Sequence, residues 1–150
     1  MRGYASQATR VEIGETELKN GQVRAKVKGF AGEQPEGLLL IEPHGFASAP
    51  PKGSTGILIT PGSRRGMGMV LAASHKGHRP DLPEGASALY DSNGNIIKLF
   101  AGGVTMDFGS RTITMTGGEW NLTGNVTITG NLNVSGNIES GGAMTSGAPD

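Results

Sequence analysis

The stretch Gly118-Glu-Trp-Asn-Leu-Thr-Gly124-Asn-Val-Thr-Ile-Thr-Gly130-Asn-Leu-Asn-Val-Ser-Gly136-Asn-Ile-Glu139 alternates without interruption. Every even position is apolar or glycine and every odd position is polar, which is the pattern of extended chain with one dry edge. The dry set is Trp120, Leu122, Val126, Ile128, Leu132, Val134 and Ile138. A period of six lies over the period of two, because Gly118, Gly124, Gly130 and Gly136 each open a hexad of the form Gly-polar-apolar-polar-apolar-polar. One such ribbon is too narrow to bury its own apolar edge, so copies of the same ribbon must supply the missing neighbours. The pattern predicts an obligate oligomer.

Glycine spacing separates the architectures that use such repeats. Collagen requires glycine at every third residue, and the third positions here are not glycine. The left-handed β-helix of hexapeptide acyltransferases puts an aliphatic residue before the small one, where this chain has Thr123, Thr129 and Ser135, and it needs more than four rungs. Ordinary antiparallel strands turning at each Gly-Asn would be about four residues long, shorter than the usual five to six. An intertwined prism in which three chains share the rungs remains, with glycine at inward positions where the chain bends or two backbones approach closely. The apolar row, Trp120 to Ile138, then forms the trimer core. Burial alone does not cover the cost of ordering such a ribbon, so inter-chain backbone hydrogen bonds and an upstream domain that sets the register are expected.

The rest of the composition agrees with a fibrous half. Twenty-six glycines stand against one tryptophan, two tyrosines and four phenylalanines in 150 residues. Thirteen basic residues balance thirteen acidic ones, which gives no electrostatic reason to expect nucleic acid or an anionic membrane as a partner. The absence of cysteine removes disulfides, thiolate nucleophiles and cysteine-ligated metals together. No apolar run approaches the roughly 20 residues needed to span a bilayer, and the start has no secretory h-region. Synthesis in the cytoplasm without a signal peptide is expected.

Upstream, apolar stretches at 11–13, 23–27, 38–41, 57–60 and 67–71 are separated by turn chemistry, with Asn20-Gly21 as a hairpin signal. Five short strands in about 80 residues match a small Greek-key barrel of the OB type. The proline- and glycine-containing segment 75–85 reads as a connector, and a domain boundary belongs there. Segments 86–90 and 95–100 flank a second turn at Asn93-Gly94, after which Val104, Met106 and Phe108 alternate. Parity shifts at Gly109-Ser110 and returns at Gly117-Gly118, as corners or bulges would require. The expected order is an all-β chain: an OB-like Greek-key barrel at 1–85, ordered from about residue 8; a hairpin neck and start of the prism at 86–116; a trimeric triple-stranded β-helix at 117–141; and a tip or frayed tail at 142–150.

Several weaker signals point elsewhere. His75 and His78 lie in a glycine- and proline-containing loop without a carboxylate cluster, a poor setting for a metal. Lys52-Gly-Ser-Thr55 resembles a phosphate loop in reverse order and reads better as a turn. Arg64-Arg65 has no interleaved aromatics of the kind that stack nucleic-acid bases. The sequons at Asn121, Asn125 and Asn133 are by-products of the repeat, whose polar face resists edge-to-edge pairing. No catalytic set converges, so no enzymatic activity is expected.

Taken in order, several segments carry a resemblance that none would carry alone. They are Gln22-Val-Arg24, Glu42-Pro-His-Gly-Phe-Ala-Ser48 leading into Pro51-Lys-Gly53, Pro61-Gly-Ser-Arg-Arg-Gly-Met-Gly-Met-Val70, Leu89-Tyr-Asp-Ser-Asn-Gly94 and the hexad ending 123–142. Their succession resembles the baseplate assembly protein V family of contractile phage tails, in particular the central spike of Mu-like phages. The resemblance covers most of the chain. It implies an N-terminal OB domain, a homotrimeric β-helical needle on the tail axis below the hub, and passage through the host outer membrane when the sheath contracts. It also implies a place at the distal end of the tail tube and contact with hub and baseplate proteins. Some spikes of this family hold an apical iron ion through a His-x-His motif near the C-terminus. The last histidine here is His78, so no cofactor is expected, and Ala143 and Met144 are candidates for an apolar apical plug or a seat for a separate tip protein. The rival readings are a hexapeptide-repeat acyltransferase and an OB-fold binder of single-stranded nucleic acid.

Overall fold

A hairpin turn in which both central residues need positive φ sets the first pairing. Asn20 and Gly21 have φ of 53° and 72°, the backbone of a type I′ turn whose twist matches the strands it joins. It connects β1 (Gln7–Lys19) to β2 (Gln22–Lys28), starting from the Lys19/Gln22 pair. Opposite charges then face each other across the hairpin: Glu17 with Arg24, Glu15 with Lys26 and Glu12 with Lys28. Lys28 Nζ lies 3.7 Å from Glu12, while Lys26 Nζ reaches Glu36 at 2.6 Å. The hydrogen bond to Glu36 and the charge of that carboxylate raise the Lys26 pKa. These exposed pairs contribute little stability, but like charges would oppose any slipped register.

In this computed structural model, which describes residues 7–29, 32–63, 67–145 and 147, the hairpin is part of a closed barrel. β3 (Leu38–Leu40), β4 (Thr55–Thr60) and β5 (Met69–Ser74) complete it in the order β1-β2-β3-β5-β4, with β4 returning to β1. All pairs are antiparallel except β3 with β5. This is the small OB-like barrel expected from the spacing of the apolar stretches. Its interior is filled by Val11, Ile13, Ala25, Val27, Leu38, Leu40, Leu58 and Val70.

Two register shifts let so short a sheet close. One lies between Ile13 and Glu15 on β1, the other between Thr55 and Ile57 on β4. At the second, a Cβ on Gly56 would lie 2.9 Å from Val70 Cγ1 and 3.3 Å from the Leu71 carbonyl oxygen. Glycine is required there because the core of β5 crosses directly over it.

After a connector at 75–86 comes a three-stranded antiparallel meander, β6 (Ser87–Tyr90), β7 (Ile96–Phe100) and β8 (Gly103–Asp107). Its first tip is organised by one carboxylate. Asp91 Oδ1 accepts the backbone N–H groups of Asn93 and Asn95 at 2.8 and 3.0 Å. Oδ2 accepts their carboxamide Nδ2 groups at 3.2 and 2.8 Å. Arg111 Nη2 donates to the Asn93 carbonyl at 2.8 Å, fastening the tip to the segment after β8. Desolvation raises the Asp91 pKa, but the backbone bonds from Asn95 and Asn93, with their side chains, outweigh it and hold the group at about 2 rather than its ordinary 3.8. Contacts divide the chain into two units, Met1–Ile113 and Thr114–Asp150.

Two outcomes follow. Gly56→Val should lower the unfolding free energy of the barrel by about 1–3 kcal/mol, the usual range for overpacking a tight core. An unchanged denaturant midpoint would mean that β5 yields freely. For Asp91 the folded pKa is depressed, so its contribution is present above the ordinary 3.8 and lost as pH falls through about 2. NMR titration should therefore show the Asp91 carboxyl carbon and the Asn93 and Asn95 amides moving with a common midpoint near 2. A midpoint near 4, the ordinary aspartate value, would contradict the network.

Candidate assembly surface

The second unit is built from the hexad repeat. Bends fall at Gly118, Gly124 and Gly130, then at Ser135-Gly136 and Gly141-Gly142, so the backbone turns with the six-residue spacing of the glycines. Gly124 and Gly130 have φ of 126° and 125°, a region that side chains with a Cβ rarely adopt. An added Cβ at Gly118, Gly124, Gly130 or Gly136 meets nothing within 4 Å in the single chain. At Gly124 and Gly130 glycine thus serves the bend, and any need for close approach would come from another chain.

Among the described residues the apolar row has little cover. Trp120, Leu122, Val126, Ile128, Leu132, Val134 and Ile138 are all exposed, from 42% at Val134 to 73% at Leu122. Among the described residues no strand lies beyond Asp107, and no backbone-to-backbone hydrogen bond beyond that of Arg111 N–H to the Phe108 carbonyl. Residues 118–139 therefore do not fold back as short hairpins. An extended backbone carrying a contiguous apolar edge has two unmet demands, ladder partners and burial. Near the end of the unit, the Ser140 hydroxyl donates to the Gly142 carbonyl at 2.7 Å and accepts its N–H at 3.2 Å, making a local turn. Ala143 and Met144 follow it, both exposed.

The meander of the first unit adds a second uncovered surface that alternation alone had not singled out. Leu89 pairs with Ile97 and Ile97 with Met106, while Leu99 pairs with Val104. These five share one face with Ser87, and all but Ile97 are exposed. The other face carries Tyr90, Ile96, Lys98, Phe100, Thr105 and Asp107, with Lys98 Nζ 5.4 Å from the Phe100 ring centre. The signal was available in the parity of positions 89, 97, 99, 104 and 106, but it emerges only once the two registers are known.

The chemical motifs are absorbed by local structure. A cleft of about 360 Å³ is lined in part by Pro51, Ser54, His75, His78, Tyr90 and Asp91. The two imidazoles meet at 4.5 Å between centres, tilted by 39°, and His75 Nδ1 accepts the Gly77 N–H at 3.1 Å, which occupies that nitrogen. Among the described residues no group of three or more His, Cys, Asp or Glu side chains is arranged to hold a metal ion. Lys52-Gly-Ser-Thr55 forms the expected turn. Gly53 N–H donates to the Ile13 carbonyl at 2.8 Å and Ser54 N–H to the Pro51 carbonyl at 3.1 Å, so neither is available to a phosphate. Buried Ser54 Oγ also donates to Pro51 O, at 2.7 Å. Arg64 and Arg65 lie outside the described residues.

No curated protein matches the chain. Residues 10–77 match the family model described as Bacteriophage Mu Gp45, N-terminal, a span that coincides closely with the barrel from β1 to β5. This match over the barrel supports the resemblance to the Mu-like baseplate assembly protein V family that the order of the sequence segments carries.

Proposed function

We propose that three copies of this chain form the central spike of a contractile phage tail or phage-tail-like particle, and that the spike is driven through the host outer membrane when the sheath contracts. The match of residues 10–77 to the Mu Gp45 family supports a structural role in a tail baseplate, in contact with other tail proteins. The observation that carries the finer reading is the coincidence of three periods in residues 118–139. Glycines, backbone bends and interruptions of the exposed apolar row all recur every six residues. A triple-stranded β-helix meets both unmet demands at once: neighbouring chains supply the ladder, and the seven apolar side chains of each chain meet those of the others. The apolar face of the β6–β8 meander is expected to enter the same assembly.

The mechanism is mechanical. Ladders shared between chains resist shear because no strand can slide without breaking bonds to both neighbours. The outward Asn, Thr and Ser positions keep the needle soluble and leave it no apolar side on which to aggregate. Ala143 and Met144 serve as an apolar plug or as the seat of a separate tip protein.

Ile128→Asp and Val134→Asp test this reading. Each would bring three carboxylates together on a dry axis, and burying even one unpaired charge costs several kcal/mol. The variants should sediment as monomers while the barrel keeps its thermal transition. Trimers that survive both changes would mean that the even-numbered row is not the interface.

A further inference from the structure

We infer that the outer face of β3, β5 and β4 is a contact between copies of this chain, covered in the assembled protein by a neighbouring copy. The inference rests on the threefold assembly proposed above. The face is read from register. Leu39 pairs with Met69, Met69 with Ile59 and Ile59 with Ala8 in one row; Leu71 pairs with Ile57 and Ile57 with Arg10 in the next. Partners directly opposite share a face. Because Leu38, Leu40, Leu58 and Val70 at the alternate positions fill the interior, Leu39, Ile57, Ile59, Met69 and Leu71 point outward. Ile57 is 38% exposed and the other four are half-buried.

The two sides of the barrel differ in kind. The outer side of β1 and β2 carries Glu12, Glu15, Glu17, Arg24, Lys26 and Lys28, paired across the hairpin. The two rows on the other side hold charge only at their margins, Arg10 on β1 opposite Ile57 and Arg24 on β2 opposite Leu39. Sequence shows the same division: β1 and β2 alternate apolar with charged residues, whereas Leu38-Leu-Leu40, Ile57-Leu-Ile59 and Met69-Val-Leu71 are apolar on both faces. Continuous apolar runs of this kind belong to strands covered on both sides.

The size and charge of the face point to its occupant. Five mostly half-buried aliphatic side chains leave at most a few hundred Å² of apolar surface, well below the ~800 Å² per partner of a free-standing complex. The face also has almost no charge with which to steer a separate protein. A copy already tethered through residues 118–139 needs neither, since tethering supplies a high effective concentration.

The chain has no cysteine, so single thiols report cleanly. Ile57→Cys in the full chain should react with a maleimide about tenfold or more slowly than the same substitution in the Ile128→Asp background, as for a group reached only by transient opening. Ile59→Cys should behave alike. Lys28→Cys, on the charged side, should react equally in both backgrounds. Equal rates at position 57 in a chain that sediments as a trimer would overturn this contact, leave the ribbon assembly standing and assign the face to a different protein. A chain that sediments as a monomer before any ribbon substitution would instead remove the tether, and with it both readings.

Discussion

Everything distinctive in this molecule depends on one constraint: an extended backbone with a single apolar edge cannot satisfy its own hydrogen bonds or bury its own side chains. The β1–β2 hairpin meets the first demand by pairing with itself and the second by closing into a barrel. Residues 118–139 do neither within the chain, although their alternation is more regular than that of any barrel strand. Glycine explains the difference. In the barrel it permits a bulge or a close crossing, as at Gly56, whereas in the ribbon it bends the backbone every six residues before a strand can grow long enough to fold back. The ribbon is thus a complete pattern and an incomplete structure.

The two halves have complementary weaknesses. Eight buried aliphatic side chains make a small core, adequate for a barrel that also closes all its strand edges. The ribbon has a strong repeat but nothing in it that fixes where one copy should start against the next, because a shift by one hexad restores almost the same contacts. In the proposed assembly, a folded domain attached to each copy would remove that ambiguity by fixing which rungs can meet. An apolar outer barrel face would add to the same end, since contacts between barrels would set the register before the ribbons pair.

Much of the barrel was legible because its strands are short and their turns chemically explicit. Asn20-Gly21 marked the first hairpin, and each of the five apolar stretches contains the centre of an observed strand. The reach of β1 to Lys19 was less visible, since Glu15, Glu17 and Lys19 carry no apolar signal and are held extended by partners on β2. The parallel pairing of β3 with β5 could not be read locally at all, because it joins residues about thirty positions apart. The same limit hid the two apolar faces: Leu89, Ile97 and Met106, like Leu39, Met69 and Ile59, become neighbours only through register. The ribbon shows the reverse case. Its alternation and hexad period were plain in the sequence, while no ladder partner for it lies among the described residues of the chain.

The central claim is that residues 118–139 are completed only by other copies. The most direct measurement is the solution mass of the intact chain by sedimentation equilibrium across a dilution series. The account predicts three times the 15.4 kDa chain mass, unchanged down to micromolar concentration or below. A stable species at the mass of one chain would contradict it.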